Sequence, residues 1–345
     1  MEISENIPLA PYTTLGVGGP ARYFAEARSE SEVAAALEFA AARSLPVFVL
    51  GGGSNIVVAD RGYDGLVVKI DISGVEYEDE DGVAVAVTAG AGEDWDGLVE
   101  QCVNSGLAGV ECLSGIPGSV GGTPVQNVGA YGQDVSETIV SVRCLDRATG
   151  TPTLLTNAEC GFGYRTSIFN TTLRDRYIVT SVAFRLERGD SARVAYKDLV
   201  EHFGGRKPSL LEVREAVLAI RRSKSMVIDN ADPNSRSAGS FFKNPVVDRS
   251  VAESVAIKLG VDRVPQFPFG DNMVKIPAAW LIERSGFSKG FKLGNAGISA
   301  NHSLAIVNRG GASAVEILAL KELIETSVYH KFGISLVPEP LLVGF

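Results

Sequence analysis

Val47-Phe-Val-Leu-Gly-Gly-Gly-Ser-Asn-Ile-Val-Val58 is the stretch on which the fold turns. It reads as a buried strand over 47–50, a loop of Gly51, Gly52, Gly53, Ser54 and Asn55, and renewed extended backbone at 56–58. Successive backbone N–H groups with no side chains in the way form an anion-binding nest. Ser54 and Asn55 add side-chain donors, so the loop suits a pyrophosphate. A dinucleotide fingerprint of the doubly wound type needs a helix N-terminus straight after its glycines; the β-branched run Ile56-Val-Val58 argues for a strand instead. No Lys-Ser/Thr pair follows, which excludes a P-loop. Gly16-Val-Gly-Gly-Pro-Ala21 imitates the fingerprint, but Pro20 and the strand-like segment after it make it a decoy.

The 38 glycines cluster rather than scatter. Gly115-Ile-Pro-Gly-Ser-Val-Gly-Gly122 and Gln126-Asn-Val-Gly-Ala-Tyr-Gly132 follow the first loop. Together they are either tight turns of a β-rich domain or a segment whose backbone approaches a flat ring system and hydrogen-bonds its edge. Further on, Arg236-Ser-Ala-Gly-Ser-Phe-Phe-Lys-Asn-Pro245 sets one hydroxyl, Ser240, between a flexible Gly239 and two bulky aromatics. Local pattern alone makes Ser240 a turn serine; its setting also suits a side chain held for a chemical task.

At 345 residues, two or three domains are expected. The chain is 45% hydrophobic and 21% charged, ordinary for a globular protein with a large core. A net charge of -9 speaks against a nucleic-acid or anionic-membrane surface. No apolar run approaches the roughly 18–20 residues of a membrane-spanning helix, and the acidic N-terminus does not read as a secretory signal. Cys102, Cys112, Cys144 and Cys160 form no CxxC pair, which points to free, mostly buried thiols in a reducing cytoplasm. His202, His302 and His330 are far apart and show no metal-ligand spacing.

Ser29-Glu-Ser-Glu32 is a capping box opening a helix with Val33, Leu37 and Ala40/Ala41 on one face. Short strands are expected at 66–70, 75–77 and 83–88, then a helix from near Asp94 to Gly106. A hairpin around Ala148-Thr-Gly150 and a strand over 177–186 make the middle mostly antiparallel. An amphipathic helix over 211–224 ends in Arg221, Arg222 and Lys224. The polar, Pro-containing 228–237 segment is a plausible boundary. A helix near 251–259 follows. Ser313-Ala-Val-Glu316 caps another, with Ile317, Leu320, Ile324 and Val328 on its face. The chain closes with a strand over 334–345.

With these motifs in one order, the chain resembles the UDP-N-acetylenolpyruvoylglucosamine reductase family (UDP-N-acetylmuramate dehydrogenases), the flavin reductases of bacterial peptidoglycan synthesis, almost end to end. Tyr12-Thr-Thr-Leu-Gly16, Leu50-Gly-Gly-Gly-Ser-Asn55, Gly115 to Gly132, Gly163-Tyr-Arg-Thr-Ser-Ile-Phe169, Ala238-Gly-Ser-Phe-Phe-Lys-Asn-Pro245 and Pro338-Glu339 carry the likeness. It implies an α+β fold: a two-subdomain FAD-binding module of the vanillyl-alcohol-oxidase type plus a C-terminal α/β substrate-binding domain. The expected divisions are 1–70 and 71–225 for the flavin module, to which the strand 334–345 returns, and 226–333 for substrate. Gly51, Gly52, Gly53, Ser54, Asn55, Gly118, Ser119, Gly122 and Gly129 match flavin contacts. Some relatives of this flavin fold tether the ring through a histidine; none of the three histidines lies in a glycine loop, which implies non-covalent FAD. NADPH is the implied co-substrate, using the same site in turn with the sugar nucleotide. A cytoplasmic monomer without nucleic-acid partners is expected.

The resemblance also implies roles. Ser240 matches the proton donor, and Arg165 and Glu339 the other catalytic positions. Val194-Ala-Tyr-Lys-Asp-Leu199 is similar to the substrate loop of the longer, type I branch, with Tyr196 closing over the sugar nucleotide. Lys224, with Arg221 and Arg222 beside it, matches a phosphate-holding lysine; Asn244 and His302 match further substrate contacts. The chemistry is coherent. Hydride delivery to the CH2 of an enolpyruvyl ether builds negative charge beside its carboxylate, which Arg165 can meet with a fork of donors. An ionised Glu339 would oppose that charge, so Glu339 is expected to act protonated, since desolvation and like charge raise a carboxyl pKa. The rival readings are a flavin-dependent alcohol or sugar oxidase of the same fold and a non-enzymatic nucleotide-binding scaffold.

Overall fold

Val47–Leu50 is a strand, as read, and pairs in parallel with Tyr63–Ile70. Tyr63–Ile70 pairs in parallel on its other side with Pro20–Ala27, and Ile3–Pro8 completes a four-stranded sheet. Parallel neighbours need a crossover; one is the helix Glu30–Ala41. Ser29 caps it by accepting from the amide of Glu32. The Glu32 carboxylate accepts from the amide of Arg28 rather than that of Ser29. Val33, Ala36 and Ala40 are buried in one core with Leu66 and Val68, whereas Ala41 is exposed.

The computed structural model describes all residues, 1–345, and the chain divides into two units. The first comprises Met1–Ile7, Ala21–Gly53 and Tyr63–Val227; the second, Pro8–Pro20, Ser54–Gly62 and Ile228–Phe345. Each has its own hydrophobic core.

In the first unit a larger antiparallel sheet runs in the order Pro152–Thr156, Ile139–Asp146, Tyr177–Arg188, Ala84–Gly90 and Val75–Asp79; Leu107–Ala108 also pairs with Tyr177–Arg188. Aspartates close two of its hairpins, the second where expected. Asp79 accepts from the amide of Gly82, and Asp146 from that of Ala148. Asp94 caps the helix Trp95–Asn104. The helix expected at 211–224 is Leu210–Ser223, started by a complete capping box of Ser209 and Glu212 that the apolar periodicity did not reveal.

All four cysteines are free and buried. Burial pushes the thiols of Cys102, Cys112 and Cys144 up to about 12 and that of Cys160 to about 11. They remain protonated at neutral pH and serve as small apolar residues.

In the second unit the helix Ala314–Phe332 starts at a complete Ser313–Glu316 capping box and buries Ile317, Leu320, Ile324 and Val328, the face read from the sequence. The helix expected near 251 begins at Arg249, two residues earlier. Two three-stranded antiparallel sheets accompany these helices. The closing strand is much shorter than expected: only Leu341–Val343 is regular, parallel to Ile56–Val58. Pro338 and Pro340 have no N–H to give a ladder, so 337–339 makes only an irregular pairing with 241–243.

Candidate active site

In the first unit the strand Val47–Leu50 delivers Gly51–Gly53 against Gly118 and Ser119. A methyl group on Gly52 would lie 2.6 Å from the Cα of Gly118, and one on Gly51 would lie 2.8 Å from Ser119 Oγ. The two loops therefore approach at distances that only glycine permits. Gly53 and Gly118 have φ of +63° and +132°, which also favours glycine. The amides of Gly52 and Gly53 donate to no acceptor in the chain. Ser119 Oγ is fully buried and has no hydrogen-bond partner. Buried polar atoms in native proteins are almost always paired. An orphaned hydroxyl beside a bare-backbone loop is what a pyrophosphate-bearing cofactor would satisfy, so these residues fit FAD. Gly122 is exposed, and a methyl group there would meet no atom within 4 Å.

The second glycine segment is fixed by the motif around Arg165. Ser167 Oγ donates to the carbonyl of Val125 at 2.6 Å, Asn127 Nδ2 to that of Gly163 at 3.1 Å, and Arg165 Nη2 to that of Gly129 at 2.6 Å. Arg165 holds the left-handed conformation, φ +55°, and its own carbonyl accepts from Asn170 Nδ2. A non-glycine residue in that region is uncommon and must be held by its surroundings. Two motifs nearly forty residues apart thus form one body. Tyr196, 39% exposed at the start of the helix Lys197–Phe203, packs edge-on to Tyr131 with 5.4 Å between ring centres.

At the basic end of the helix Leu210–Ser223, Lys224 and Arg221 are placed differently. Lys224 follows the last turn of Leu210–Ser223 and is partly exposed. Arg221 is the buried cation. Its Nε donates to the carbonyl of Gly115 at 3.1 Å and its Nη2 to that of Met226 at 2.7 Å. Burial lowers its pKa, opposed by Tyr131 and Asp96. Asp96 accepts from the amide of Gly115 at 2.6 Å and from both Nη atoms of Arg214. Both polar backbone groups of Gly115, the first residue of the flavin-type segment, are therefore held by charged side chains. Arg214 and Asp96 were not singled out from the sequence, because their pairing spans 118 residues.

Ser240 and Glu339 lie in the second unit and Arg165 in the first. Gly239 turns the chain with φ +74°, and Phe241 and Phe242 are fully buried beyond Ser240. The amide of Glu339 donates to the carbonyl of Phe241 at 2.9 Å, and that of Phe241 to Leu304 at 2.8 Å. Ser240 Oγ is 3.5 Å from His302 Nε2. Asn55 Nδ2 donates to the carbonyl of Glu339 at 3.3 Å. Thr14 Oγ1 reaches the carbonyl of Ser237 at 2.7 Å and that of Ser54 at 3.4 Å. Ser54, Asn55, Ser240, His302 and Glu339 are thus gathered by backbone and side-chain bonds. Asn244 has a structural bond as well: its Oδ1 accepts from the amide of Ala278, at the start of the helix Ala278–Arg284.

Comparison with known proteins agrees with this geometry. Residues 21–155 match the FAD binding domain family, and residues 232–343 match the C-terminal domain of UDP-N-acetylenolpyruvoylglucosamine reductase. The chain is 49% identical to UDP-N-acetylenolpyruvoylglucosamine reductase of Thermobifida fusca over 99% of its length and 98% of the relative's. It is 46% identical to the enzyme of that name from Saccharopolyspora erythraea, over 97% of this chain and 94% of the relative. The crystal structure of UDP-N-acetylenolpyruvylglucosamine reductase from Thermus caldophilus superposes with a TM-score of 0.65 at 27% identity, covering 99% of this chain and 98% of that one. These full-length matches establish that the chain belongs to the UDP-N-acetylenolpyruvoylglucosamine reductase family.

Proposed function

We propose that the protein reduces the enolpyruvyl ether of UDP-N-acetylglucosamine to UDP-N-acetylmuramate in peptidoglycan synthesis, with NADPH as electron source, as a cytoplasmic monomer. No helix is long and apolar enough to cross a membrane. FAD, held non-covalently when bound, supplies the hydride that goes to the terminal CH2 of the substrate. Gly51–Gly53 and Ser119 would hold its pyrophosphate through backbone and hydroxyl donors. Arg165, braced on Gly129, sets positive charge toward the substrate carboxylate, where negative charge grows. Tyr196 covers the sugar nucleotide, and Lys224 meets its phosphates.

The observation that carries this reading is the setting of Ser240. A positive-φ Gly239 suits any turn serine, but the two fully buried rings after Ser240 and the backbone bonds of Phe241 to Leu304 and Glu339 go beyond what a turn needs. These hold one hydroxyl still, as proton transfer to carbon requires. In this role Ser240 protonates the carbon beside the carboxylate. Anaerobic stopped-flow absorbance separates the two halves of turnover. In Ser240→Ala, bleaching by NADPH continues and recolouring by the enolpyruvyl sugar nucleotide slows by about 10²–10⁴-fold. Equal slowing of both halves would defeat the assignment.

A further inference from the structure

Ser240 leaves one chemical question open. An aliphatic hydroxyl is a poor acid, and once its proton has gone to carbon the alkoxide left behind needs another. The side-chain partner of Ser240 Oγ is His302 Nε2, at 3.5 Å. Two stretches of backbone fix this pairing. The amide of Phe241, next to Ser240, donates to the carbonyl of Leu304, two residues past His302. The amide of Asn308 donates to the carbonyl of Arg236 at 2.9 Å, and Ser237 bridges to Val307. Residues 236–241 therefore run alongside 304–308. The His302 turn is closed from within: the amide of Ala305 donates to the carbonyl of His302, the amide of Ser299 to that of Ala305, and the amide of Asn301 to Ser299 Oγ. Ser303 Oγ bonds the carboxylate of Glu283. The ring faces Ser240 because the fold puts it there.

We propose that His302 is a second acid of the site, acting through Ser240. This rests on the reduction reading above. As an imidazolium, His302 donates Nε2–H to Oγ, which orients the Ser240 proton away from the ring, toward the substrate. As the O–H bond of Ser240 breaks and the new C–H bond forms, the Nε2 proton passes to Oγ. Ser240 ends as a neutral hydroxyl and His302 as a neutral imidazole, which takes its next proton from water. One proton and no net electrons leave the His302–Ser240 pair, and no alkoxide accumulates. Histidine alone among the side chains ordinarily changes charge near neutral pH, so it can both give and regain that proton. The positive ring also offsets charge growing beside the substrate carboxylate.

The test uses the FAD-loaded enzyme in anaerobic stopped flow, with His302→Gln and His302→Ala. Glutamine keeps an N–H donor but cannot release its proton. FAD content and melting temperature close to those of wild type report correct folding of both variants. The limiting rate of recolouring by the enolpyruvyl sugar nucleotide is expected to fall about 100-fold in both. Added imidazole should restore at least about tenfold of that rate to His302→Ala and nothing to His302→Gln. A wild-type limiting rate in His302→Gln overturns the proposal. So does a loss confined to the half-saturating substrate concentration, or an absence of rescue. A wild-type enzyme that bleaches but is never recoloured by the sugar nucleotide defeats the reduction reading and this proposal together. Normal wild-type recolouring with unaffected variants defeats only the role of His302.

Discussion

The amide of Glu339 donates to the carbonyl of Phe241 at 2.9 Å. This one bond joins an acid six residues before Phe345 to the residue directly after Ser240. Pro338 and Pro340 flank Glu339 and restrict its backbone, so the position of the carboxyl follows that of the Ser240 loop. If Glu339 acts as a neutral hydrogen-bond donor, its amide analogue should keep much of the function. Glu339→Gln is expected to retain recolouring by the sugar nucleotide within about tenfold, whereas Glu339→Ala loses about 10²–10³-fold. Single-turnover absorbance on the two variants decides it, and equal losses would mean that the negative charge itself is required.

Ser119 offers a test of the flavin cradle that does not depend on turnover. Its hydroxyl is buried without a partner. Removing an unsatisfied buried polar atom does not destabilise the protein and can stabilise it by about 1–3 kcal/mol. Ser119→Ala should therefore leave the melting temperature of the apoprotein unchanged or higher. The same variant should weaken FAD binding by about tenfold, as expected for one lost hydrogen bond to a charged group. Differential scanning calorimetry and fluorescence titration with FAD provide the two readouts.

Gly52 and Gly122 should respond in opposite ways. A methyl group on Gly52 would meet Gly118 backbone atoms at 2.6 Å and 2.8 Å, and those atoms cannot swing aside as a side-chain tip could. Gly52→Ala is expected to separate the two loops and weaken FAD binding by more than about 100-fold, the cost of overpacking by roughly 3 kcal/mol. Gly122→Ala meets no protein atom within 4 Å, so apoprotein stability should change by less than about 0.5 kcal/mol. A fall in FAD affinity in that variant would place Gly122 against the cofactor. An unchanged affinity would remove it from the cofactor-binding set.

The Asp96–Arg214 pair gives a pH-dependent prediction. Burial raises the pKa of the Asp96 carboxyl, but hydrogen bonds from Arg214 and the Gly115 amide outweigh it, and the net direction is downward. A carboxyl whose pKa is lowered by folding contributes stability above its unfolded value, near 3.9, and loses it as the pH falls through the lower folded value. Arg214 is almost completely buried, with 6% of its side chain exposed. Asp96→Ala leaves that charge only the more exposed Glu100, 3.5 Å from Arg214 Nη2, and should cost about 2–3 kcal/mol at pH 7. Urea unfolding at pH 7 and below pH 4 should show the gap between wild type and variant narrowing at the acid end. A gap that is constant with pH would mean that Asp96 acts only by packing.

Much of the local structure was legible in the residues. The strand Val47–Leu50, the Ser313–Glu316 cap and the buried face Ile317, Leu320, Ile324 and Val328 follow from periodicity and from bonds spanning three or four residues. The closing segment reads as one long strand from its β-type residues at 334–337, but its prolines cannot join a ladder and only Leu341–Val343 is regular. Ser209–Glu212 has the same Ser-x-x-Glu spacing as the other two caps and starts the helix Leu210–Ser223.

The sequence alone determined the chemistry: which residues could bind a pyrophosphate, donate a proton or carry charge, and in what order they occur. The tertiary structure decided which of them meet. Arg165 rests on Gly129, Arg221 on Gly115, Ser240 faces His302, and Glu339 follows Phe241. None of these pairings has a local period, because each closes a loop of between 36 and 106 residues. Such contacts depend on strands and helices that are distant in the chain, and a one-dimensional pattern holds no record of that proximity. Val47–Val58 shows both contributions. Its residues specify a strand, a bare loop and a strand, while the partner that makes the loop a cradle, Gly118–Ser119, is supplied by folding.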